Sequence, residues 1–232
     1  TGVGRSGTTY MARLLTSMNI KCGHESIFDY SNDQIIRERI LDPRKRVISR
    51  VSTQNKEKWI DPTETIAESS YLSVPYLDWP ELNNVKIIHV YRNPIKVARS
   101  FILDFGYFSK NKPNKQNPFN ELGFEEKIWS FLPELSYIRT QEERFCYFYF
   151  KWNQLAIKKS KNKEVLSIKV EEDNIYKITS FLNIEKTDNL FNNKKENTYD
   201  SNKEFRLSNI PKSEIKIDFI NVINSYLYFT LL

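Results

Sequence analysis

Histidine and cysteine are scarce in this chain of 232 residues, with two of each. Cys22 and Cys146 show no paired spacing, and two histidines are too few to complete a zinc ligand set, so no metal is expected to be required. No apolar run reaches the ~18 residues that mark a membrane-spanning helix, so no span is expected in this chain. No internal repeat is evident, and no stripe interleaves basic with aromatic residues. The formal net charge of +6 therefore points to an anionic partner other than nucleic acid, with a polyanionic cofactor as the expected one. The lysines are scattered, with local clusters such as 158–163 (KKSKNK), and read as solvated surface.

What is present suffices for one folded domain. Hydrophobic residues make up 40% of the chain and aromatic residues 14%, too apolar for a disordered segment and enough for a substantial core. A single domain is expected over 1–232.

The densest chemical signal is the opening stretch, TGVGRSGTTYMARLL. Gly2, Gly4 and Gly7 supply backbone freedom, and TTYMARLL supplies helix formers, so the stretch reads as a tight turn entering a helix. Such a turn aims backbone N–H groups at one point, beside the positive end of the helix dipole, and makes an anion site. Its spacing is the Walker A frame G-x-x-x-x-G-K-[ST] with Thr8 in place of the lysine. The later strand 85–91 (VKIIHVY) ends in Arg92, a cation where a magnesium site wants a carboxylate. A phosphate held by N–H groups, hydroxyls and the Arg5 guanidinium is expected, without the equipment for triphosphate hydrolysis. Residue 1 already lies in the loop, which normally follows a strand, so the domain is expected to lack its first strand. The expected compartment is the cytoplasm, with an upstream signal or anchor left open.

Further along, 22–25 (CGHE) places His24 and Glu25 at the carboxyl end of a short strand, where parallel α/β sheets carry their sites. Their side chains are expected to point to opposite faces. Residues 30–50 read as helical and 49–62 as polar, and 66–72 (IAESSYL) as a strand whose Glu68, Ser69 and Ser70 contact substrate or cap the next helix. The run 85–91 reads as a strand buried on both faces, with His89 a hydrogen-bonded core residue. Pro94 then sets a turn into a helix. Arg92 before it and Ser100 within it could grip one phosphate from two sides, because a guanidinium matches phosphate as a fork. The polar stretch 109–123 is longer than packing requires. Helices are expected over 124–132, 141–159, 175–182 and 217–227, a strand over 165–170, and a loop-like segment over 186–203. Phe145, Phe148, Tyr149 and Trp152 recur at helical spacing as core. Strands alternating with helices imply an α/β fold, a three-layer sandwich with a central parallel sheet and P-loop-like topology.

The string GVGRSGTT, the strand-end Glu25 and the later YRNPIKVARS together resemble the two cofactor signatures of sulfotransferases that use 3′-phosphoadenosine 5′-phosphosulfate (PAPS). The tyrosylprotein and bacterial-type members look closest, sharing RSGTT and a cysteine-glycine-acid cluster like CGHE. The segment VEEDNIYKITSFLNI is similar to the family's acidic turn and following helix. The resemblance implies that Gly4, Arg5, Ser6, Gly7, Thr8 and Thr9 hold the 5′-phosphosulfate and that Arg92 and Ser100 hold the 3′-phosphate. It implies Glu25 as general base, His24 as the competing base, and Arg5 as stabiliser of the departing phosphate. The implied acceptor is a hydroxyl of a carbohydrate, a glycolipid or a peptide tyrosine. The family's glycine-rich basic segment near the carboxyl end has no clear match, and Lys194, Lys195 and Arg206 are its candidate substitutes. The alternative is a P-loop nucleotide kinase-like enzyme lacking the Walker lysine.

Overall fold

The computed structural model describes residues 1–53, 56–101, 122–172 and 174–184. The expected polar loop 109–123 falls almost wholly outside the described residues. The segments 186–203 and 217–227, with Lys194, Lys195 and Arg206, lie entirely outside them.

The glycine turn passes into helix α1 (Thr8–Ser17), with Gly7 as its left-handed N-cap. Met11, Ala12, Leu14 and Leu15 bury one face, and the helix stops at Met18, where Asn19 turns left-handed at φ 63°. Strand β1 (Cys22–His24) follows, then α2 (Asp33–Leu41), whose Asn32 side chain caps the Ile35 amide. The helix expected over 30–50 is shorter because Asp42 leaves helical geometry and Pro43 opens a separate 3-10 turn, Pro43–Lys45. Beyond it lies an antiparallel hairpin of β2 (Ser49–Thr53) and β3 (Lys56–Ile60), in place of a helix end and polar loop. Its charged residues hide the period-two pattern that would have announced a strand.

Two parallel pairs position the site. β4 (Ala67–Ser69) lies beside β1, with Cys22 opposite Ala67 and His24 opposite Ser69. β5 (Ile87–Tyr91) lies beside β6 (Val165–Lys169), with Ile87 opposite Val165 and Tyr91 opposite Lys169. Residues 1 and 2 run parallel to β5: Gly2 bridges to Val90, and the Val90 amide donates to the Thr1 carbonyl at 2.7 Å. The glycine turn therefore starts at the sheet, level with the carboxyl end of β5. Ser73, just past β4, donates to the Thr1 hydroxyl at 2.9 Å.

Helices cover both faces of the β5–β6 pair. Val90 and Ile168, opposite each other in register, pack with Met11, Leu14 and Leu15 of α1 and Ile178 of α6 (Ile175–Leu182). His89, on the other face, meets the Asn153 amide oxygen of α5 (Gln141–Lys159) at 2.9 Å, the hydrogen-bonded core histidine expected. A Thr140–Glu143 capping box starts α5, and its Phe145, Phe148 and Trp152 are fully buried. They pack with Val97 of α3 (Pro94–Arg99), Phe101, Ile128 of α4 (Leu122–Phe131) and the 3-10 segment Tyr71–Tyr76, where Trp152 Nε1 donates to the Tyr71 carbonyl at 3.0 Å. Each such aromatic contributes roughly 1.5–3 kcal/mol by leaving water. The architecture is mixed α/β, built on small parallel sheets. Among the described residues no helix is long and apolar enough to cross a membrane.

Candidate functional site

The site begins with backbone that only glycine supplies. Gly7 sits at φ 110°, and a Cβ there would meet Val170 Cγ2 at 2.6 Å. A Cβ on Gly2 would collide with the Val90 carbonyl oxygen. The turn is thus pressed onto the ends of β5 and β6, and Gly4 lies against the rings of Phe101 and Tyr71. No side chain caps α1, so the amides of its first turn, at Thr8 and Thr9, keep their donor capacity for a ligand. Ser6 is fully buried and its hydroxyl has no hydrogen-bond partner among the described residues, while its amide donates to the Val3 carbonyl at 3.1 Å.

Arg5 carries a left-handed backbone at φ 62°. Its Nε donates to Ser100 Oγ at 2.9 Å. Arg92, one residue past β5, sends Nη1 to the Arg5 carbonyl at 3.5 Å, and its own carbonyl accepts from the Tyr149 hydroxyl at 2.7 Å. The Arg92 Nε is buried without a hydrogen-bond partner among the described residues. Arg5 of the glycine turn is therefore met by Arg92 and Ser100, which lie some ninety residues away in sequence. Burial first, and then Glu171 and Tyr91, push the Tyr149 hydroxyl up to about 12, so it stays protonated and donates to the Arg92 carbonyl.

His24, at the end of β1, points Nε2 at two hydroxyls, 3.1 Å from Thr9 Oγ1 and 3.4 Å from Thr8 Oγ1. Burial, and then the positive charges of Arg13 and Arg5, pushes its imidazole down to about 4, so it is neutral at neutral pH. The Ser69 hydroxyl donates to the Thr8 carbonyl at 2.7 Å and fixes α1 against β4. Glu25 comes next with a left-handed φ of 57°, its amide donating to the Ser69 carbonyl at 3.4 Å. A residue of this type rarely takes that conformation, which costs about 1–2 kcal/mol and turns the chain away from the strand. His24 and Glu25 thus leave β1 at its carboxyl end, beside the start of α1.

The other candidates resolve into structure. Glu68 caps no helix but holds the bend after β1, accepting from the Ser26 amide at 2.7 Å, the Ser26 hydroxyl at 2.6 Å and the Ile27 amide at 3.2 Å. Burial pushes its carboxyl up, against those donors. Ser70 accepts from the Leu72 amide at 3.1 Å and opens the Tyr71–Tyr76 segment.

Three residues at the site were not anticipated. Glu171 places one oxygen, Oε1, 3.6 Å from Arg92 Nε and 3.6 Å from Lys96 Nζ. Its signal was available: it opens the acidic run directly after β6, at the strand end where parallel sheets hold ligands. Tyr149 and Lys96 carried none, since each joins the site through a contact that helical spacing does not encode. Among the described residues no group of three or more His, Cys, Asp or Glu could hold a metal ion. Comparison of the chain with family models, curated proteins and solved structures finds no match.

Proposed function

We propose that the protein is a PAPS-dependent sulfotransferase that moves a sulfuryl group to a hydroxyl of a carbohydrate, a glycolipid or a peptide tyrosine. The observation that carries this reading is the junction of two anion grips. Arg5 of the glycine turn reaches Ser100, and Arg92 reaches the carbonyl of Arg5. A nucleotide with phosphate at both ribose ends is the ligand that uses both grips. The parallel pairs β1–β4 and β5–β6, with residues 1–2 beside β5, are read as parts of one central sheet in a three-layer, P-loop-like sandwich.

The donor set suits that cofactor. An uncapped helix start, a buried Ser6 hydroxyl without a partner and the Arg5 guanidinium would hold the 5′-phosphosulfate, with Gly4, Gly7, Thr8 and Thr9 completing the cradle. Arg92 and Ser100 would hold the 3′-phosphate. When bound, the cofactor supplies the sulfuryl group and a phosphate leaving group. Glu25 takes the proton of the acceptor hydroxyl. His24, neutral, holds the Thr8 and Thr9 hydroxyls in place, and Arg5 offsets negative charge as it builds at the turn.

Isothermal titration with adenosine 3′,5′-bisphosphate against ADP tests the reading. The bisphosphate is expected to bind about ten- to a hundredfold more tightly, the contribution of one or two charge-assisted contacts, and Arg92→Ala to remove the preference. Equal affinities in the wild type, or magnesium-dependent turnover of ATP, would overturn it.

A further inference from the structure

Glu171 is the one acidic side chain within ion-pair distance of Arg92 or Lys96 among the described residues, and it faces both with the same oxygen at 3.6 Å. At that distance neither contact is a hydrogen bond, and the Arg92 Nε stays without one. Two cations on the strand-end turn and α3 are thus balanced by a carboxylate from the end of β6 that satisfies neither. Glu171 is a quarter exposed, Arg92 a third and Lys96 more than half, so water screens the pairing and it is readily exchanged. A phosphate brings more oxygens to the same place and can accept true hydrogen bonds from both cations.

We infer that Glu171 is a built-in competitor for the second anion grip: its carboxylate stands between Arg92 and Lys96, and a phosphate must displace it to bind. Identifying that phosphate as the ligand's 3′-phosphate rests on the sulfotransferase reading; the competition itself rests only on the side-chain geometry. Glu171 thereby tempers affinity at the grip. It also supplies a group that re-pairs with Arg92 and Lys96 when the spent nucleotide leaves, which favours release.

Titration of wild type, Glu171→Gln and the double variant Arg92→Ala/Glu171→Gln tests this with three probes: the bisphosphate, ADP and inorganic phosphate. Glu171→Gln is expected to bind bisphosphate and inorganic phosphate about three- to tenfold more tightly, with ADP unchanged, and the gain is expected to vanish in the double variant and shrink in high salt. Glu171→Ala, checked for an unchanged thermal midpoint, should reproduce the gain. Unchanged or weaker phosphate binding in both Glu171 variants would overturn the proposal and make the residue a support for Arg92. If bisphosphate and ADP bind alike in every protein while the Arg92-dependent gain for inorganic phosphate persists, the competition stands and the nucleotide reading falls.

Discussion

Glu25 is held in a left-handed backbone that a glycine would occupy without strain, and strain of that kind persists where the surrounding structure over-determines it. His24 beside it has lost the usual advantage of histidine as a base, because burial with Arg13 and Arg5 lowers its pKa to about 4 and its Nε2 is engaged with threonine hydroxyls. Under the proposed function the labour divides accordingly, with Glu25 for proton transfer and His24 for orientation. Glu25→Gln is expected to lower kcat by about 10²- to 10⁴-fold while bisphosphate affinity stays within about twofold, whereas His24→Asn costs less than about tenfold. A labelled-donor assay across hydroxyl acceptors, paired with titration, reads both, and retained turnover in Glu25→Gln would move the base elsewhere. The turn into α1 was legible because its backbone demands glycine at Gly2 and Gly7 and the helix formers follow at once. Glu171 was not singled out although it opens the acidic run after β6, because only the fold brings Arg92 and Lys96 to it.

At the level of elements, α5 and α6 were readable at their observed bounds, since periodicity acts locally and the 3.6-residue repeat leaves a clear stripe. The strands were less so. Val85 belongs to a turn bonded to the Leu82 carbonyl, not to the β5 ladder, and the β2–β3 hairpin carries too many charges to show its alternation. The turn before α1 is the element on which the proposed binding depends, and geometry demands glycine at Gly2 and Gly7. Gly7→Ala places a methyl at φ 110° against Val170 and is expected to cost about 1–3 kcal/mol with loss of nucleotide binding. Thr140→Ala removes the capping box of α5 and is expected to cost about 1 kcal/mol without altering nucleotide affinity. Thermal midpoints and titrations of the pair separate a turn that binds from a cap that only stabilises; nucleotide affinity unchanged in Gly7→Ala would remove the turn from the site.

In the whole molecule, the glycine turn sits at the join of the two apolar cores that flank β5–β6, so the chemistry of the site and the stability of the fold draw on the same buried groups. His24 and His89 both have imidazoles pushed below the ordinary 6.5, first of all by burial. The unfolded chain therefore binds protons at a pH where the folded chain refuses them, and stability that is full above about 6.5 falls as pH drops toward 4. For His24 alone the fall between pH 7.5 and 5 is about 1–2 kcal/mol, once its residual solvent access is discounted. Glu68 acts in the opposite sense: burial raises its carboxyl in the fold, so acidification toward its ordinary 4.5 stabilises the folded chain. The difference between proteins isolates the histidine. Urea midpoints of wild type should fall from pH 7.5 to 5 more steeply than those of His24→Asn, which keeps a polar partner for Thr8 and Thr9 but takes up no proton. Parallel slopes in the two proteins would mean that His24 is solvated and can be protonated, and the neutral, threonine-holding role assigned to it would fall with that result.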